Sequence, residues 1–134
     1  MITATAVWTD NERFVAQATS GHALVVDAGT NKTASSPVEL VLIALCGCTA
    51  YDVVSILRKK REAFTAVEVS AEGERATEQP MVFTTIKLVY RVKGKVSPKA
   101  VEDAVRLSEE KYCSVAAMLN KTAKITYQIQ LSEK

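Results

Sequence analysis

Histidine is all but missing from this chain. His22 is the only one among 134 residues, and it falls in a segment that alternates like a strand. One strand histidine supplies no Ser-His-Asp order, and none lies near the cysteines, which argues against a metal site or a resident cofactor. Glycine (5) and proline (3) are scarce, and there is no internal repeat or low-complexity tract, which excludes fibrous and disordered classes. No glycine-rich phosphate loop occurs. Excess charge is lacking too, since a formal net charge of +2 makes no electrostatic case for a nucleic-acid partner. The basic cluster Arg58-Lys59-Lys60-Arg61 reads as the solvated end of a helix, where cations suit the dipole. MITATAVWTD lacks the basic and apolar regions of a secretory signal. Three cysteines is an odd number in a chain long enough to hold a core without disulfides, so reduced thiols in the cytoplasm are expected.

What the chain does have is one long apolar stretch, SSPVELVLIALCGCTAYDVVSILRKKR, from Ser35 to Arg61. Ser35 or Ser36 can cap a helix there, and Pro37 suits its first turn, where no donor is needed. Its length would span a bilayer. Asp52 would then sit well inside it at a cost of roughly 2.5–3.5 kcal/mol, so a core helix is the better reading and no membrane partner is expected. Three short alternating strands precede this helix, at 2–8, 13–18 and 22–27, with a polar loop over 28–34. After it come strands near 67–72 and over 82–92, the second with Val82, Thr84, Ile86, Leu88, Tyr90 and Val92 on one face. Ser97-Pro98 opens a second helix ending near Lys111 or Tyr112. A short helix follows from Cys113-Ser114 to Leu119, and a last strand covers 123–131. The order βββ-α-ββ-αα-β over 1–134 is that of a single α+β domain, with antiparallel β-sheets wrapped around a long central helix. So apolar a helix needs more cover than one small sheet provides, and a homodimer is the simplest source of it.

The thiols carry the chemistry. Cys46 and Cys48 are two apart, about 200° around a helix, so they face opposite ways and neither pair in a disulfide nor share a metal ion. Cys48 is mid-helix, where burial makes a thiol inert, and Asp52, four residues on, opposes a thiolate. Cys113 opens a short helix with Lys111 nearby, a setting that favours the thiolate. From the residues alone Cys113 therefore has the better claim to thiolate character, and Cys48 reads as a small apolar core residue.

SSPVELVLIALCGCTAYDVV and LSEEKYCSVAAML resemble the two cysteine segments of the OsmC/Ohr family of thiol peroxidases, and the element order agrees over essentially the whole chain. The resemblance is closest to the branch of small OsmC-like proteins. It implies an intertwined homodimer with two sites at the subunit interface. It implies that Cys48 is the peroxidatic cysteine and Cys113 the resolving one, with organic hydroperoxides as substrates and an external dithiol as reductant. In active members of the family an arginine from the N-terminal region holds the thiolate, and a glutamate directly after the helix-opening proline orients that arginine. Here Val38 follows Pro37, and Glu39 lies about half a turn away from Cys48. The only N-terminal arginine, Arg13, is in the second strand outside any glycine-rich setting. Glu109 and Glu110, just before Cys113, are possible polar partners, although a solvated helix end is the simpler reading of both. Two functions follow: a cysteine peroxidase acting through Cys48 and Cys113, or a protein of the same fold with little peroxidase activity that binds a small apolar ligand at the dimer interface.

Overall fold

Period-two alternation at both ends of the chain and an apolar run between them are resolved into six strands and three helices in a computed structural model of the protein, which describes residues 1–134. Two compact units are present, Met1–Val41 and Leu42–Lys134.

The first unit is an antiparallel meander of β1 (Ala4–Asp10), β2 (Arg13–Ala18) and β3 (Ala23–Asp27). Asn11 takes a left-handed conformation (φ 47°) in the tight β1–β2 turn, which asparagine tolerates better than most residues. Trp8 Nε1 donates to the Asn11 carbonyl at 2.8 Å, tying the strand to its own turn. The polar loop after β3 is organised by Asp27, whose carboxylate accepts from Gly29 N (2.9 Å), Thr33 N (2.9 Å) and Thr33 Oγ1 (2.7 Å). These donors, the Thr33 and Gly29 amides foremost, hold the Asp27 pKa down to about 2. The unit ends on the first turn of α1 (Pro37–Lys59), which is closed by a capping box. Ser36 Oγ accepts from Glu39 N at 3.2 Å, and Glu39 Oε1 accepts from Ser36 N at 2.9 Å.

In the second unit β4 (Ala63–Arg75), β5 (Phe83–Lys95) and β6 (Lys124–Ser132) form a sheet in the order β4-β5-β6. β4 and β5 are a long antiparallel hairpin, extending the expected strands at both ends. β5 and β6 are parallel, a departure from the all-antiparallel expectation. The physical reason is the connection: α2 (Pro98–Leu107), a π-helical turn (Ser108–Tyr112) and α3 (Ser114–Leu119) return the chain to the start of β5, which is the crossover a parallel pair requires. Ile86, Leu88, Tyr90 and Val92 are buried on one face of β5 as the alternation predicts. Val82 and Thr84 are not, and Phe83 is buried instead. The register shift between Glu74 and Arg75 explains this, because an extra residue on one strand reverses which side chains meet the core. Gly94 does not end the strand. It sits at φ 123° beside a second bulge, where a Cβ would collide with the Ala63 carbonyl oxygen.

Helix α1 buries a single stripe in Leu45, Thr49, Val53 and Leu57, each four residues from the next. Leu45, Val53 and Leu57 are fully excluded from solvent, each worth roughly 1.5–3 kcal/mol of transfer free energy. Most of the remaining helix surface is open, including Ile43 (56% exposed) and Tyr51 (71%). By length and composition alone the helix could cross a membrane. Its polar residues Thr49 and Asp52 are instead hydrogen-bonded to partners in the same unit.

Candidate functional site

The buried stripe of α1 sets the frame of the site. Cys48 precedes Thr49 in the stripe, and Asp52 follows Cys48 by one turn, so both flank the line of contact with the sheet and the α2–α3 connection. The third component is the π-helical turn. Cys113 N donates to Ser108 O at 2.9 Å, an i to i+5 bond that widens the last turn of α2. The widened turn brings Ser108, Glu109 and Cys113 within six residues, and Cys113 leaves the helix in an extended conformation (φ −76°, ψ 102°) to cap α3.

Two thiols meet there. Cys113 is 3% exposed and Cys48 is half-buried, and the Cys48 thiol is near enough to influence that of Cys113. Both are free cysteines. The expectation that Cys113 carries the thiolate is overturned by its surroundings. Burial pushes its pKa up to about 12, against the single amide of Ala116 that donates to its Sγ at 3.3 Å. The neighbouring Cys48 thiol and the Asp52 carboxylate raise it further. A six-residue helix offers little dipole, and exclusion of water costs a thiolate more than one amide returns.

Below the thiols runs a buried polar chain that the sequence did not reveal. Thr49 Oγ1 lies 2.6 Å from Tyr90 Oη and 2.7 Å from Ser108 Oγ. Ser108 Oγ donates to Asp52 Oδ2 at 2.8 Å, and Tyr90 Oη lies 2.6 Å from Glu109 Oε1. Thr49, Tyr90 and Ser108 are wholly inaccessible to solvent. Burial raises the pKa of Glu109, only partly opposed by Tyr90, and burial followed by the Glu109 contact raises that of Tyr90. The signal available in sequence was weak: a serine on the inward line of α2 and a threonine on the apolar line of α1 are each ordinary. Glu109 is thus a half-buried partner of a tyrosine and not a solvated helix end. Glu110 is exposed, with Arg106 at 4.0 Å.

The remaining expected residues lie elsewhere. Cys46 lines an open apolar groove with Leu42, Ile43, Ala50, Val69 and Ala71, and burial raises its pKa. Neither Cys48 nor Cys113 lines that groove. Asp52 lines a second groove of roughly 440 Å³ with Tyr51, Tyr112, Lys59 and Lys60. Glu39 is committed to the capping box, which lowers its pKa through the Ser36 amide and hydroxyl. Arg13 is held by Asp10 of its own hairpin, with Nε donating to Oδ1 at 2.8 Å and Nη2 paired with Oδ2. Both residues belong to the first unit.

A sequence model described as OsmC-like protein matches residues 29–128. The protein YhfA of Escherichia coli K12 is 43% identical over 125 residues, covering 92% of this chain and 93% of YhfA. A crystal structure of a protein from Aquifex aeolicus VF5 superposes with a TM-score of 0.86 at 30% identity, covering 99% of this chain and 98% of that one. The fold also matches an organic hydroperoxide resistance protein OsmC from Legionella pneumophila, with a TM-score of 0.72 at 14% identity, covering 100% of this chain and 97% of that one. Element order, the paired cysteines on α1 and before α3, and these matches make the chain a member of the OsmC-like family.

Proposed function

We propose that the protein is a cysteine-based peroxidase that reduces organic hydroperoxides through Cys48 and Cys113. The observation that carries the reading is the proximity of these two thiols, residues 65 positions apart, of which Cys113 is buried and held protonated. Cys113 is the poor nucleophile, buried and protonated, which leaves the first step to Cys48. The Cys48 thiolate attacks one peroxide oxygen, forming an S–O bond as the O–O bond breaks. Sulfur is oxidised to the sulfenic acid, and the alkoxide leaves as an alcohol once protonated. The Cys113 thiol then displaces the sulfenic hydroxyl, forming a disulfide and releasing its own proton in the water lost. An external dithiol restores both thiols by exchange. The Legionella fold relative is named for organic hydroperoxide resistance, which agrees with this chemistry, and its likeness to this chain is one of fold.

The same reading makes the working form a cytoplasmic homodimer, since most of α1 is uncovered and a second copy would bury it. Sedimentation of the intact protein at micromolar concentration is expected to give a dimer. The test of the chemistry is one equivalent of cumene hydroperoxide followed by non-reducing peptide mass analysis. A Cys48–Cys113 disulfide is the expected product. A Cys48→Ser variant that consumes peroxide at the wild-type rate refutes the assignment. The open groove beside Cys46 supports a second reading, a binder of small apolar molecules. It gains if all three thiols stay reduced while an apolar probe binds and protects Cys46 from alkylation.

A further inference from the structure

Four short oxygen–oxygen contacts link two carboxyl groups in one line: Glu109 to Tyr90 (2.6 Å), Tyr90 to Thr49 (2.6 Å), Thr49 to Ser108 (2.7 Å) and Ser108 to Asp52 (2.8 Å). Each contact at this distance needs one proton between its oxygens. The three hydroxyls supply one proton apiece, so three protons serve four contacts. If both carboxyls were ionised, one contact would set lone pair against lone pair in a site closed to water. The fourth proton has to come from a carboxyl group.

We infer that Glu109 is held protonated at neutral pH and is the proton reservoir of a relay running through Tyr90, Thr49 and Ser108 to Asp52, beside the thiol pair. The choice between the two ends follows from their surroundings. Glu109 is half-buried, forms no ion pair, and faces Tyr90 of β5, with the Cys113 thiol acting on the same tyrosine. Lys111, the cation nearest in sequence, lies over the Tyr112 ring at 5.3 Å, and Arg106 is engaged by Asp103 at 3.1 Å and Glu110 at 4.0 Å. Asp52 lines the open groove that Lys59, Lys60, Tyr51 and Tyr112 also line, and so has access to water. Burial raises the affinity of Glu109 for its proton, in agreement with the count.

With the proton on Glu109 every hydroxyl donates toward Asp52. When Ser108 passes its proton to Asp52, each group behind it passes one along the line, so that Asp52 carries the proton and Glu109 becomes the carboxylate. The use of this relay rests on the peroxidase reading. When the Cys48 thiolate attacks, sulfur loses two electrons, the peroxide bond gains them, and the departing alkoxide needs one proton. Asp52 is placed to deliver it, Glu109 to replace it, and water to reprotonate Glu109.

Infrared spectroscopy of the full-length protein tests the protonation state without any turnover. A protonated-carboxyl C=O band is expected at pH 7, lost in Glu109→Gln and kept in Glu110→Gln. Thr49→Val removes two of the four contacts and leaves two hydroxyl protons for the other two, so no carboxyl proton is required and the band should titrate away at lower pH. No band at pH 7, or one that survives Glu109→Gln, overturns the inference. Carbon-13 NMR of glutamate-labelled wild-type protein asks the same question if the variants do not fold, and a set of carboxyl carbons all ionised at pH 7 overturns it equally. Thr49→Val should also slow single-turnover Cys48 oxidation by about a hundredfold. A band that behaves as expected with an unchanged rate overturns the catalytic use of the relay. Absence of any thiol oxidation in the wild type instead removes the peroxidase reading and leaves the shared proton standing.

Discussion

Tyr90→Phe is the substitution that weighs the buried chain most cleanly. It removes one oxygen and preserves the ring, which stacks edge-on against Tyr127 with centroids 6.0 Å apart. Tyr90 is fully buried, and its hydroxyl makes two contacts of 2.6 Å, to Thr49 and to Glu109. Each such bond is worth about 1 kcal/mol net, and loss of one partner leaves the other buried group unsatisfied. The expected destabilisation is therefore about 2 kcal/mol, with Glu109 as the group left short. For a chain of this length that lowers Tm by roughly 6–10 °C. The assay is thermal unfolding at fixed protein concentration, since association would make Tm concentration-dependent. Tyr127→Phe is the control: Tyr127 is 44% exposed, and its loss of a hydroxyl should cost under about 0.5 kcal/mol. Equal and small effects of the two substitutions would refute the claim that the Tyr90 hydroxyl is a structural member of the chain.

Cys113, held near a pKa of about 12, should be ionised to only about one part in 10⁴ at pH 8. Iodoacetamide at that pH is expected to label Cys113 last of the three cysteines in the folded protein, as peptide mass analysis would show, and rapid labelling contradicts its burial. Asp27, with its pKa depressed to about 2, stabilises the fold above its unfolded value near 3.9, and that contribution is lost as pH falls from about 4 through 2. Urea unfolding should thus show Asp27→Asn less stable than wild type at pH 7, with the gap closing toward pH 2. Gly94→Ala places a Cβ against the Ala63 carbonyl oxygen at a positive φ and is expected to lower stability by more than about 1 kcal/mol in the same assay.

The strands, the long helix and the break before Cys113 were legible because each rests on local periodicity or capping residues. Ser36, Pro37 and Ser97-Pro98 mark helix starts by their own chemistry, and Ser97 Oγ does accept from Ala100 N at 3.3 Å. Helical phase alone separated Cys46 from Cys48. What the chain did not announce is tertiary. The parallel pairing of β6 depends on where the α2–α3 connection returns, and the altered face at Phe83 depends on a bulge at Thr84 of the same strand. Cys113 was misjudged because a helix start is visible in sequence while the depth at which it is buried is not. Glu109 was misjudged for the same reason, since its partner Tyr90 is 19 residues away on a strand. Glu39 was weighed against Cys48 when the serine three residues before it, Ser36, already fits a capping box.

The central claim is that Cys48 is the residue oxidised by peroxide and Cys113 the one that resolves it. In a Cys113→Ser variant the disulfide cannot form, and the sulfenic acid should persist long enough to trap. Treatment with one equivalent of cumene hydroperoxide in the presence of dimedone, followed by peptide mass analysis, should give a single adduct, on Cys48. An adduct on Cys46 with Cys48 unmodified, or no adduct while peroxide disappears, would contradict it.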